Sequence, residues 1–233
     1  MRAWMVLGTD TGVGKTRVGC AFLHGLRQRG LHALGMKPVA TGVEDDGENS
    51  DVRALKLASS SGIKGMDLPV PTQWMNPYSF EPAVAPHLAA RRVGVTISFA
   101  CLRQAFHQLQ GCTDAVVVEG AGGVLVPLSE EGDMVDLALA LDIPVVLVVG
   151  LRLGCLNHAL LSAEALQSRS VPWVGWVANR LEPDLAEEEG QLETLRVRLP
   201  LPFLGVYPHA ATPESGASVL DWETLLAVGE NRK

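Results

Sequence analysis

The 233-residue sequence holds only four cysteines, Cys20, Cys101, Cys112 and Cys155, and none is paired in a Cys-x-x-Cys unit. A disulfide framework therefore has no support, and the mostly apolar neighbours of these residues suit small buried thiols in a reducing compartment, the cytoplasm. No group of Lys and Arg forms a basic stripe. With 26 acidic against 19 basic residues the net charge is −7, which argues against a surface built for nucleic acid. No apolar run approaches the ~18 residues that cross a bilayer, and the first residues lack the charged, apolar and small-residue regions of an export signal, so neither membrane nor secretion is expected. The six histidines show no His-Glu-x-x-His or His-x-x-x-His spacing, and no Gly-x-Ser-x-Gly elbow occurs. Transition-metal sites and nucleophilic triads are left without candidates.

What the sequence does have is alternation. Short β-rich runs at Ala3–Leu7, Ala33–Val39, Ala115–Glu119, Val145–Val149, Val174–Ala178 and Phe203–Tyr207 read as strands. Helical patterns lie between or after them at Lys15–Arg29, Asp51–Ser59, Ser98–Gln110, Met134–Leu141, Cys155–Ser168 and Leu185–Leu199. Several strands are apolar almost throughout, the pattern of parallel strands covered on both sides. The expectation is an α/β fold, a doubly wound, mainly parallel sheet with helices on both faces, forming one domain over residues 1–233. The proline-rich stretch Gly65–Pro86 interrupts the rhythm. Its Trp74, Met75, Tyr78 and Phe80 are too apolar for disorder, so it is expected to be an ordered excursion over the functional edge of the sheet.

The densest chemical signal comes after the first strand, in Gly8-Thr-Asp-Thr-Gly-Val-Gly-Lys-Thr16. A strand, a glycine-rich turn and then Lys-Thr opening a helix point backbone N–H groups at phosphate oxygens, and the helix dipole favours the same charge. Lys15 would reach the β and γ phosphates and the Thr16 hydroxyl a Mg2+ ion. The loop is a variant, because Thr9 stands where the strict Gly-x4-Gly-Lys-Ser/Thr pattern has glycine. The dinucleotide pattern Gly-x-Gly-x-x-Gly fails at Arg17 when read from Gly12, and at Leu125 when read from Gly120.

Three further residues stand at strand or helix ends where that loop would meet them. Glu119, followed by Gly120, Ala121, Gly122 and Gly123, is either a magnesium ligand or a solvated strand-end carboxylate. Lys37 is either a solvated lysine or a cation beside developing phosphoryl charge. Asp51, after Asn49 and Ser50, is either a first-turn or capping acid or a metal ligand.

These segments, together with Lys37-Pro-Val-Ala-Thr-Gly42, Asn76-Pro-Tyr-Ser-Phe80, Pro86-His87, Gly154-Cys-Leu-Asn-His-Ala159 and Gly175-Trp-Val-Ala-Asn179, resemble the dethiobiotin synthetase family, in order from Gly8 to about Glu214. The resemblance implies an ATP-dependent ligase of biotin synthesis with a P-loop NTPase-like fold. It would close the ureido ring of 7,8-diaminopelargonate with CO2 and ATP to give dethiobiotin, ADP and phosphate, through a carbamate and a carbamic-phosphoric anhydride. By the same resemblance, Lys37 and Lys15 are the catalytic cations, and Thr16, Asp51 and Glu119 hold Mg2+. Gly12, Val13, Gly14, Lys15, Thr16 and Arg17 wrap the phosphates, and Gly120, Ala121 and Gly122 line the nucleotide. Asn179 reads the adenine edge with Arg180 beside it, and Pro208, His209, Ala210 and Glu214 line the nucleoside. Thr11, Lys37 and Thr41 meet the reacting end of the substrate. Gly154, Cys155 and Asn157 receive the substrate carboxylate from the other subunit of a homodimer. Three positions depart from the family pattern: Gly12 stands where some relatives have an acid, Thr41 where serine is frequent, and Glu214 aligns only with a shortened turn. Two other P-loop readings remain. An amide-forming synthase of the cobyrinate type needs a glutaminase domain for which the chain is too short. A partitioning or septum-placement ATPase usually has a further lysine near the loop's start, where this chain has Asp10.

Overall fold

The structure is a computed structural model and describes residues 2–45 and 47–228; residues 1, 46 and 229–233 of the expected domain lie outside these. In chain order the elements begin with strand β1 (Arg2–Gly8), helix α1 (Lys15–Gln28), β2 (Ala33–Met36), β3 (Val39–Thr41) and α2 (Ser50–Ala58). The proline-rich stretch and its continuation give α3 (Thr72–Met75), β4 (Tyr78–Phe80), α4 (Pro86–Arg92) and α5 (Phe99–Gln110). Then come β5 (Ala115–Gly123), β6 (Pro127–Ser129), β7 (Gly132–Asp133), α6 (Met134–Leu141), β8 (Val145–Leu151) and α7 (Cys155–Ser168). The last are β9 (Trp173–Arg180), α8 (Glu188–Arg198), β10 (Phe203–Tyr207), α9 (Pro213–Ser218) and α10 (Trp222–Ala227).

Six strands form one parallel sheet in the order β10-β9-β8-β1-β5-β2. Side chains alternate in direction along each strand. In β1, Ala3, Met5 and Leu7 enter one apolar core, while Trp4 and Val6 enter the other. The same split holds in β5 and β8, so both faces are dry, as the unbroken apolar runs require. Chain order reverses direction about β1: the later strands lie first on its β5 and β2 side, then on its β8 side. In such sheets a crevice opens beyond the carboxyl ends of the strands at the point of reversal.

Two sequence expectations change in detail. The run Ala33–Val39 is not one strand, because it divides into β2 and β3 at Lys37-Pro38. Pro38 has no N–H for a ladder, and the Lys37 N–H bonds to Met75 O at 2.8 Å instead of to a sheet neighbour. The last helical run starts at Glu188 rather than Leu185, after Glu187 in the left-handed region at φ 56°. The excursion is ordered, as expected. Its β4 pairs in parallel with β3, Val39 opposite Tyr78 and Thr41 opposite Phe80.

The short α10 closes the α1 face. Trp222 lies edge-on to Phe22 with centroids 5.9 Å apart, its indole N–H donates to Ala217 O at 2.7 Å, and the Arg29 guanidinium sits 4.1 Å from the ring centroid. A ring pinned in this way explains Gly25 in mid-helix, where an added Cβ would stand 2.0 Å from Trp222 Cζ2. Gly25→Ala gains about 1 kcal/mol of helix propensity, but overpacking costs about 1–3 kcal/mol. The expected result is a net loss of stability in urea unfolding, and a stabilised variant would contradict this packing.

Candidate active site

The loop between β1 and α1 is shaped by its glycines. Gly12 and Gly14 have φ of 74° and 88°, values that residues with a Cβ rarely adopt. A Cβ on Gly14 would also stand 2.1 Å from Asn179 Nδ2, which donates to Val13 O at 2.8 Å. Asn179, fully buried at the end of β9, thus clamps the loop and leaves its Oδ1 without a partner. Helix α1 has no side-chain cap and no acid in its first turn. Its open N–H groups and positive dipole end form a seat for an anion. Lys15 is buried and folds back over the loop, its Nζ donating to Asp10 O at 2.9 Å.

Beyond the loop, four polar and charged side chains converge. Lys37 Nζ lies 2.5 Å from Glu119 Oε1, 2.9 Å from Asp51 Oδ2 and 3.3 Å from Gly120 O. Thr16 Oγ1 lies 2.8 Å from Asp51 Oδ1 and 2.9 Å from Glu119 Oε1. Each group is delivered by a separate element. Asn49 caps α2 by accepting from the Asp51 and Val52 N–H groups, which makes Asp51 a first-turn acid and not the cap. Its amide also donates to Thr41 O and Gly42 O at 3.0 and 3.1 Å, tying α2 to β3. Lys37 is held at its backbone by the excursion, through Met75 O and through Asn76 Nδ2, which donates to Lys37 O at 2.7 Å.

Burial and neighbouring charges together set the protonation of this cluster. Burial pushes the Glu119 carboxyl up from its ordinary value, opposed by Lys37. For Lys37 burial acts downward, yet Glu119 and Asp51 outweigh it and hold the ammonium above its usual range. Asp51, partly exposed, is raised by burial but drawn below the usual carboxylate range by Lys37 and Thr16. Lys15 has no such surplus of acids: burial first, and Lys37 second, lower it to about 8. The Cys20 thiol is pushed up to about 12 by burial and by Glu119 and Asp51, so it stays protonated and is no nucleophile.

These groups open onto a cavity of about 650 Å3. Thr11, Gly12, Gly14, Lys15, Thr16 and Arg17 line one side, Lys37, Thr41, Asp51 and Glu119 the floor, and Ala121 and Gly122 the rim. Val39, Val126 and residues Ala83 to Pro86 supply an apolar wall. Val13 turns its side chain into the core and presents only its carbonyl, to Asn179.

Other predicted residues stand outside this cavity. Arg180 is paired with Glu188, Nε to Oε1 at 2.8 Å. Pro208, His209 and Ala210 form a turn after β10 with His209 and Ala210 exposed. Arg17 brings that turn close to the loop helix, its guanidinium 5.3 Å from the Tyr207 ring centroid and 3.4 Å from Ala211 O. Glu214 faces His24, 3.4 Å from its Nδ1. Gly154 and Asn157 are exposed at the start of α7, while Cys155 is buried with Sγ 2.9 Å from Gln191 Oε1. Sequence reasoning did not reveal the Asp10 carboxylate gripping Arg152 at 2.5 Å, since nothing local links residues so far apart. It also missed Asn49 as the helix cap, although an Asn two residues before Asp51 is a capping signal.

Residues 2–214 match the model of a family described as AAA domain. The chain is 48% identical over 213 residues to the ATP-dependent dethiobiotin synthetase of Aromatoleum aromaticum, spanning 90% of this chain and 92% of that one. It is 49% identical to the enzyme of the same name from Xylella fastidiosa strain 9a5c, over 90% and 91%. The chain belongs to the ATP-dependent dethiobiotin synthetase family. Among solved structures, its fold is similar to MinD in the MinC:MinD cell division complex of Aquifex aeolicus, with TM-score 0.58, 16% identity and coverage of 100% and 98%. It is also similar to a ParA family ATPase from Chlorobium tepidum, at TM-score 0.55, 15% identity and coverage of 99% and 94%. At such identities the likeness is one of fold, a P-loop NTPase-like parallel sheet with helices on both faces.

The depressed Lys15 gives a pH dependence with a definite sign. Buried charge at Lys15 disfavours the ligand-free fold below pH about 8, and this cost fades as pH rises through 8 toward the ordinary 10.5. Phosphates restore the charged form, so nucleotide binding takes up a proton at higher pH. ADP affinity measured by calorimetry should fall above pH 8 by up to about tenfold per pH unit, with a heat that depends on buffer ionisation. Lys15→Met should bind weakly and lose this dependence; a flat wild-type profile from pH 7 to 9.5 would contradict it.

Proposed function

We propose that the chain catalyses the ATP-dependent closure of the ureido ring of 7,8-diaminopelargonate with CO2, giving dethiobiotin, ADP and phosphate. The observation that carries this reading to the residue level is the meeting of Lys15, Thr16, Lys37, Asp51 and Glu119, drawn from four separate segments, on one cavity. The chemistry has an amine take up CO2 as a carbamate, the carbamate oxygen take the γ-phosphoryl group, and the second amine attack the mixed anhydride and expel phosphate. None of these steps needs a nucleophile from the protein. What they need is alignment and stabilisation of anions.

The loop N–H groups from Gly12 to Arg17, with the Lys15 ammonium, bind the triphosphate at the end of α1. Lys37 is the cation that meets the carbamate and the terminal phosphate, and the Thr11 and Thr41 hydroxyls orient the reacting end of the diamine. The apolar wall of Val39, Val126 and Ala83 to Pro86 excludes water, which would otherwise hydrolyse the anhydride. Asn179, with one acceptor oxygen free, suits an amino group of the base; Arg180, Glu214 and the turn at Pro208 to Ala210 complete the nucleoside site.

The donor set of Thr16, Asp51 and Glu119 fits Mg2+. It is all oxygen, and Glu119 Oε2 is buried without a hydrogen-bond partner. Two carboxylates and a hydroxyl leave positions for phosphate oxygens and water, the usual arrangement for this ion. When bound, Mg2+ would neutralise charge on the β and γ phosphates.

The homodimer belongs to the same proposal. Gly154 and Asn157 lie outside the cavity of their own chain, at a helix start with no side-chain cap and no first-turn acid. Leu153 beside them is 95% exposed, with Leu125 and Leu161 also exposed, a pattern that suits coverage by a second copy. With Cys155, these residues would receive the substrate carboxylate of the partner's site. Of the four cysteines, Cys20, Cys112 and Cys155 are buried, whereas Cys101, expected to be buried as well, is exposed; unpaired thiols suit a reducing cytoplasm. Among the described residues no helix is long and apolar enough to cross a membrane.

With Mg-ATP, purified protein should release ADP only when diaminopelargonate and bicarbonate are both present. Equal turnover without the diamine would favour a switch ATPase of the partitioning kind. Lys37→Ala should lower turnover by about 100-fold or more while nucleotide still binds, and an unchanged rate would remove Lys37 from the mechanism.

A further inference from the structure

We propose that Lys37 is the resident cation of the divalent-metal seat, and that its ammonium moves into the cavity only when a magnesium nucleotide takes its place. The inference rests on the reading of Thr16, Asp51 and Glu119 as the ligands of that ion. Lys37 Nζ is bound to the same two carboxylates that Thr16 joins, at 2.5 Å from Glu119 Oε1 and 2.9 Å from Asp51 Oδ2. A magnesium ion needs oxygens at about 2.0–2.1 Å. An ammonium on the same Glu119 oxygen would face it across a few ångströms, in a pocket where Lys37 is 5% and Glu119 1% exposed. Two cations that close are strongly repulsive where water cannot screen them. Neither can the seat stay empty, because Glu119 would then keep only the Thr16 hydroxyl against the cost of a buried carboxylate. One cation must therefore replace the other.

The geometry restricts the motion to the side chain. The Lys37 backbone is fixed on both sides, its N–H on Met75 O at 2.8 Å and its carbonyl under Asn76 Nδ2 at 2.7 Å. The four-carbon stem can rotate without moving β2 or β3, and the cavity that Lys37 lines is the space it turns into. Exchange then couples two events. Loading of the metal nucleotide frees the ammonium toward the terminal phosphate, and until then the catalytic cation is withheld from the diamine and its carbamate.

The test uses Mg2+ and Mn2+ alone, without nucleotide. The thermal midpoint of wild-type protein should hardly differ between EDTA and millimolar Mg2+. Lys37→Met, with a stem of similar length and no charge, should unfold at lower temperature in EDTA and be restored by Mg2+. Direct Mn2+ titration followed by electron paramagnetic resonance should show the variant binding at least about tenfold tighter than wild type. Equal Mn2+ affinity, or the same Mg2+ response in both proteins, overturns the exchange while leaving the dethiobiotin reading intact, since that stands on diamine-dependent ADP release. Should Lys37→Met fail to fold, crystals of the wild type answer instead. With Mg2+ and a non-hydrolysable ATP analogue, Nζ should stand beyond hydrogen-bond distance of both carboxylates; Nζ still bound to both overturns the proposal.

Discussion

A carboxylate with almost no contact with water, Glu119, is the constraint on which the site depends. A buried charge is tolerable only where other groups return what solvation gave. Glu119 sits in β5 opposite Val6 of β1, at the strand ends where three segments can reach it. Lys37 comes from the break between β2 and β3, Thr16 from the first turn of α1, and Asp51 from the first turn of α2. The phosphate loop, the lysine strand and the acid-bearing helix are thereby held in fixed relation before any ligand arrives. The backbone around the anion site is thus preorganised, and the Lys37 side chain is the part that moves.

The surrounding fold serves the same end by contacts outside the Lys37–Glu119–Asp51 cluster. Asn179 reaches from β9 to the loop carbonyl of Val13, so the phosphate seat is braced from the far side of β8. Asn76, in the proline-rich excursion, fixes the lysine's backbone, and the same excursion supplies the apolar wall. Asp10 binds Lys15 through its carbonyl and Arg152 through its carboxylate, linking the phosphate loop to the segment that leads into α7. That segment is where the substrate carboxylate of a partner subunit would dock in the proposed dimer.

Much of this was legible in the residues. The apolar runs with their glycine and proline stops marked every strand of the large sheet, because parallel strands buried on both faces cannot hide their hydrophobicity. Gly-Lys-Thr after a strand announced the phosphate seat, Glu119 was visible as a carboxylate ending an apolar run, and Lys37 as the charged residue within another. What stayed hidden was non-local. Single-turn α3, the pairing of β4 with β3 and the two-stranded β6 and β7 have too little length to show a period. Pro38 splits a run that looks continuous because apolarity does not record where backbone donors go. The Lys37 contact with two carboxylates, and the Asn179 clamp, depend on the sheet order, which no local pattern encodes. The pairing of Glu214 with His24, away from the main cavity, likewise reflects how α9 packs on α1.

The central claim is that Lys37 and Glu119 stabilise each other as a buried charge pair in the ligand-free fold. A double-mutant cycle with Lys37→Met, Glu119→Gln and the combined variant, read by urea unfolding at pH 7 with EDTA, measures this directly. The account predicts that each single change is costly, that the pair together costs much less than their sum, and that the coupling is about 2 kcal/mol or more. Additive losses, with coupling below about 0.5 kcal/mol, would contradict it.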